Sequence, residues 1–104
     1  MVKADTTLKA AVGERLRLTR QIVGILEGRE LDQKEFCRRA GIEATLYNKY
    51  ERGMVLPSVP MAIRLCETYD LTLDWIFLDD PSNLPYAIQD RLPPARQRPA
   101  RRRR

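Results

Sequence analysis

Residues 41–53 read GIEATLYNKYERG. Counted at helical spacing, Tyr50 lies on one side together with Leu46 or Tyr47, and Ala44, Thr45, Asn48 and Lys49 lie on the other, with Glu43 at the helix start. The outer set carries a specific chemistry. The Asn48 amide has both a donor and an acceptor and could pair with the edge of adenine. Lys49 could reach guanine or a phosphate, and the methyl groups of Ala44 and Thr45 could touch that of thymine. Glu43 could accept from cytosine, but its charge would repel phosphates and it is a poor helix cap. Its more ordinary role is a charge that complements the helix dipole.

Other chemistries find little support. Among the 104 residues there is no histidine, and there are only two cysteines, Cys37 and Cys66. The usual general base and the usual zinc ligand are therefore missing. Both cysteines sit in apolar helical registers and read as buried thiols in a reducing compartment. No Gly-rich phosphate loop and no convergent carboxylate pair is visible. We expect no enzyme, no metal and no cofactor.

Several elements must position the outer set. Apolar residues Leu8, Val12, Leu16, Ile22, Val23 and Leu26 recur at helical spacing. They predict a long first helix, capped by Asp5, Thr6 or Thr7 and stopped by Gly28. Gly13 and Gly24 each weaken it by ~1 kcal/mol relative to Ala. Asp32 caps a second helix of about residues 33–40, with Phe36, Cys37 and Ala40 inward. Gly41 supplies the left-handed turn. The third helix, about residues 43–52, ends at Gly53. Ser58 caps a fourth, with Pro60 in its first turn and Ile63, Cys66 and Tyr69 inward. Thr72 caps a fifth helix, residues 73–78, in which Trp75 packs. DDPSNLP then reads as a turn in which Asn83 can take a left-handed conformation, and Pro85 could open a short helix from Tyr86 to Leu92. No strand and no repeat is predicted.

Two short helices joined by a Gly-containing turn form a helix-turn-helix. Here the sequence resembles the Cro/cI-type, or XRE-type, helix-turn-helix regulators. The resemblance rests on residues 31–77, together with GERLRLTR at residues 13–20. Its specific parts are Gln33, Gly41-Ile42, Tyr50-Glu51-Arg52-Gly53, Pro57-Ser58 and Leu73-Asp74-Trp75-Ile76. It implies an all-α, five-helix lambda-repressor-like domain over residues 7–80, here with an extended first helix. Residues 81–92 would be a turn and short helix, and residues 93–104 a disordered Pro/Arg-rich tail. It further implies that the third helix enters the major groove of double-stranded DNA. Ala44, Thr45, Asn48 and Lys49 would meet bases, Gln33 and Arg52 would meet phosphates, and Arg20 and Glu51 would tie the first helix to the third. Four departures stand out. The link from Arg20 to Gln33 is about six residues longer than usual. Tyr47 replaces Ile or Val, Asp70 stands where Gly is common, and Glu43 replaces a capping Ser or Thr.

Charge is divided along the chain. Residues 1–88 hold 12 Lys/Arg against 13 Asp/Glu, and residues 89–104 hold seven Arg against one Asp. The tail arginines Arg96, Arg98, Arg101, Arg102, Arg103 and Arg104 would displace counterions from DNA without selecting sequence. The N-terminus lacks a signal peptide and no stretch is long and apolar enough to span a membrane, so a cytoplasmic protein is expected. At this length we do not expect the self-cleaving or ligand-sensing domain of longer family members. Taken together, these features lead us to expect a sequence-specific DNA-binding transcriptional regulator, a repressor acting as a homodimer. The alternatives are an antitoxin or adaptor-type interaction module with the same fold, or a non-specific nucleic-acid binder acting through the tail.

Overall fold

The computed structural model describes residues 2–94 and 97. Among them, six helices and no strand occur: α1 Val2–Glu27, α2 Gln33–Arg39, α3 Ala44–Glu51, α4 Val59–Tyr69, α5 Leu73–Leu78 and α6 Tyr86–Gln89. The expected all-α domain with a long first helix is observed. The N-caps of three helices follow from single side chains. Asp32, Ser58 and Thr72 accept from the N–H groups of Glu35, Met61 and Trp75, respectively. Each satisfies a donor that the helix leaves orphaned. Gly28, Gly41 and Gly53 adopt positive φ and end α1, α2 and α3.

The core gathers Val12, Leu16, Ile22 and Val23 of α1, Phe36 and Cys37 of α2, Tyr47 and Tyr50 of α3, and Leu65, Trp75 and Ile76 beyond. Of the two candidates for the inner side of α3, Tyr47 is buried and Leu46 is only half-buried. Aromatic rings link the elements. Phe36 stacks on Tyr69 at 4.2 Å between centroids, and Tyr47 meets Tyr50 edge-on at 6.0 Å. The Tyr69 hydroxyl donates to the Phe36 carbonyl at 2.6 Å. Burial pushes its pKa up to about 12.

Five expectations need correction. α1 begins at Val2, so residues 5–7 lie inside the helix and do not cap it. Leu26 is exposed, although it lies on the apolar stripe of α1 one turn beyond Ile22 and Val23. The buried face of α4 is Ala62 and Leu65, with Cys66 and Tyr69 half-buried and Ile63 exposed. The buried stripe, Ala62, Leu65, Cys66 and Tyr69, keeps the i, i+3, i+4, i+7 spacing. The left-handed residue after α5 is Asp79, at φ 59°, not Asn83. Finally, α6 stops at Gln89, short of Leu92.

Candidate nucleic-acid interface

α3 is held at both ends. At its start, Gly41 turns the chain, the Ile42 N–H donates to the Cys37 carbonyl at 2.9 Å, and Ile42 is buried. Arg64 of α4 donates to the Gly41 carbonyl at 2.9 Å. At its end, α1 crosses so closely that a Cβ on Gly13 would lie 2.5 Å from the Tyr50 carbonyl oxygen. The inner face is thereby fixed by Tyr47 and Tyr50. On the outer face Ala44, Thr45 and Lys49 are exposed and Asn48 is half-buried. Glu43 occupies the N-cap without a side-chain capping bond, and Arg52 is the exposed C-cap. Ala44, Thr45, Asn48, Lys49 and Arg52 thus share one side of one anchored helix, with Glu43 at its start.

A charged cluster sits behind this surface. Arg20 makes a two-pronged pair with Glu51, at 2.8 Å from Nε to Oε2 and 2.9 Å from a terminal nitrogen to Oε1. The same guanidinium donates to the Leu31 carbonyl at 2.8 Å. The Glu51 side chain is 3% exposed and that of Arg20 16%. Their hydrogen bond raises the Arg20 pKa further above its ordinary value, against the opposing effect of burial. Gln33, the first residue of α2, donates from Nε2 to Glu51 Oε1 at 2.9 Å. The buried Tyr47 phenol is pushed well up by desolvation and by the adjacent Glu51 carboxylate. Arg20 and Glu51 therefore come together as the sequence suggests, while the Gln33–Glu51 bond was not foreseen.

A second buried polar link also escaped the sequence reading. Arg15 is 1% exposed; it donates to the Ile76 carbonyl at 2.6 Å and lies 3.9 Å from the Asp79 carboxylate. Thr19, one turn on, accepts from the Trp75 indole at 3.0 Å. Both residues occupy the apolar stripe of α1 between Val12 and Ile22. A polar residue in an apolar register was the available signal. The tail arginines Arg96, Arg98, Arg101, Arg102, Arg103 and Arg104 lie outside the described residues.

A sequence model of the helix-turn-helix family matches residues 25–76, half of the chain. The chain belongs to this family, and the match bears out the resemblance to the Cro/cI-type DNA-binding regulators. It covers α2 through most of α5 and leaves Arg20 and the first 24 residues of the chain outside. Neither the curated proteins nor the solved structures provide a match. No described helix is long and apolar enough to cross a membrane.

Proposed function

We propose that this chain is a sequence-specific transcriptional repressor that binds double-stranded DNA as a homodimer, with α3 inserted in the major groove. The observation that carries this reading is the two-sidedness of α3. Tyr47 and Tyr50 are sealed in the core, while Ala44, Thr45, Asn48 and Lys49 remain available to bases. Gln33 and Arg52 flank this face and take phosphates, which fix register without reading sequence. The arginines of residues 96–104 add affinity of the same unselective kind.

Dimerisation suits half-sites one helical turn apart, ~34 Å. Apolar surface that a partner copy could cover exists at the end of α1, at Ile25 and Leu26. It also exists beyond α5, where Leu78 is 55% and Tyr86 81% exposed. Mixing tagged and untagged chains should yield a hybrid species. Monomer alone, with and without DNA, would defeat the dimer.

Binding-site selection from random duplexes tests the whole reading. A preferred sequence should hold an advantage of at least ~10³-fold over unrelated duplex. Lys49→Ala should change the preferred base at one position, and deleting residues 93–104 should weaken all sequences alike. Equal binding to every duplex would refute sequence-specific recognition.

A further inference from the structure

Glu51 does more than pair with Arg20. It is a nearly buried carboxylate with three neighbours on three segments: Arg20 of α1, Gln33 at the start of α2, and the Tyr47 phenol of its own helix. The bond to Gln33 constrains what that side chain can present. An amide nitrogen has two hydrogens, and Glu51 takes one of them. The amide cannot turn over, because its oxygen would then face a carboxylate. We infer that Glu51 is a positioning residue for Gln33, holding the amide so that its second N–H points at a DNA phosphate.

This inference rests on the proposed DNA-binding reading and adds a division of labour to it. Arg20 neutralises both Glu51 oxygens. The carboxylate behind Gln33 can then orient the amide without repelling the phosphate in front of it. The Arg20 bond to the Leu31 carbonyl fixes the chain two residues before Gln33. One charged cluster thus sets the position of the α2 start relative to the end of α3.

The test exploits an opposition of sign. Glu51→Gln removes a negative charge near DNA, so long-range electrostatics alone would tighten binding. Positioning requires the reverse. With the full chain and the duplex recovered by selection, E51Q should weaken binding about tenfold, the loss of one charge-assisted hydrogen bond. Gln33→Ala should do the same, and the double variant should bind no worse than Q33A alone. Tighter binding by E51Q, or an equal loss in both backgrounds, overturns the inference.

A second measurement uses the unaltered chain and so does not depend on variants folding. Before DNA is added, one proton of the Gln33 side-chain amide should exchange slowly by NMR. The other should shift when the duplex is added, and fail to shift when the contacted phosphate is a methylphosphonate. Two freely exchanging protons would overturn the role of Glu51 while leaving the regulator reading intact. A selection that yields no preferred duplex would overturn both.

Discussion

Gly13 offers the sharpest test of how α3 is held. In an isolated helix, Gly→Ala stabilises by ~1 kcal/mol, since alanine has less backbone freedom to lose and is the better helix former. Here the sign should reverse. A Cβ at residue 13 would sit 2.5 Å from the Tyr50 carbonyl oxygen and 2.6 Å from that of Glu51, where ordinary contact begins at 3.4 Å. Both obstacles are backbone, so no side-chain rotation relieves them, and α1 must withdraw from α3 by about 0.9 Å. Overpacking of this kind costs ~1–3 kcal/mol, and the rigidity of the obstacle argues for the upper end. Set against the propensity gain, the net loss is ~1–2 kcal/mol. For a domain of this size that lowers Tm by roughly 4–16 °C. Circular-dichroism melts of wild type and Gly13→Ala at one matched concentration would measure it; matching removes any effect of self-association on Tm. Gly28→Ala serves as a control, with no atom within 4 Å of the added Cβ but φ of +77°. It should lose only ~1 kcal/mol, from left-handed strain. An unchanged or higher Tm for Gly13→Ala would refute the tight crossing of α1 over the end of α3.

Two further outcomes follow from the caps and the ion pairs. Arg38 and Arg39 bond the Glu35 carboxylate and bring its pKa from 4.5 down to about 2, and Arg39 also lowers that of Glu27. A depressed carboxylate contributes stability that is present above its unfolded pKa and lost as pH falls through the folded one. Melting temperature should therefore fall between pH 4.5 and about 2, and Glu35→Gln should flatten that slope; an identical slope in the variant would contradict the assignment. Asp70 and Asp79 share φ near 60° at helix C-caps, but Asp70 is exposed and Asp79 is buried beside Arg15. Asp70→Gly should raise stability by ~0.5 kcal/mol by relieving left-handed strain. Asp79→Gly should lower it by on the order of 3 kcal/mol by breaking a buried pair. Denaturant midpoints that move in the same direction for both would refute this distinction.

The caps of α2, α4 and α5 and the glycine turns were legible because each depends on one residue acting locally. An oxygen at Asp32, Ser58 or Thr72 and a missing Cβ at Gly41 need no tertiary knowledge. The outward set of α3 was legible for a related reason, since Tyr50 faces inward with either Leu46 or Tyr47 and the opposite side is the same in both cases. Features that failed were those decided by a neighbour. Ile63 is larger than Ala62, yet Ala62 is buried, because it shares the i, i+3, i+4, i+7 stripe of Leu65, Cys66 and Tyr69. Gly13 and Gly24 look like defects in a helix until α3 and the returning chain are placed against them. Arg15 and Thr19 look like interruptions of an apolar stripe until Ile76, Asp79 and Trp75 supply their partners. The Gln33–Glu51 bond joins residues 18 apart in the chain, and neither spacing nor composition connects them.

The longer link between Arg20 and Gln33 poses the last structural question, because extra residues there could have displaced α2 from α3. The chain avoids this by folding the excess back on itself. After Gly28 turns with φ of +77°, the Arg29 N–H donates to the Gly24 carbonyl at 3.0 Å. The return lies against Gly24 itself: a Cβ there would come within 2.6 Å of the Arg29 carbonyl oxygen and 3.1 Å of the Leu31 nitrogen. Leu31 is buried, and its carbonyl ends on the Arg20 guanidinium. The excursion therefore leaves α1 near Arg20 and comes back to Arg20 before α2 begins. Its length does not reach the Arg20–Glu51–Gln33 cluster. What the excursion changes is the surface beside it, where Ile25 and Leu26 are left exposed and Arg20, Ile25, Arg29 and Leu31 help to line an open groove of about 750 Å³. An insertion closed in this way can vary in length without moving α3, provided Gly24 remains small and Arg20 keeps its bond to the Leu31 carbonyl.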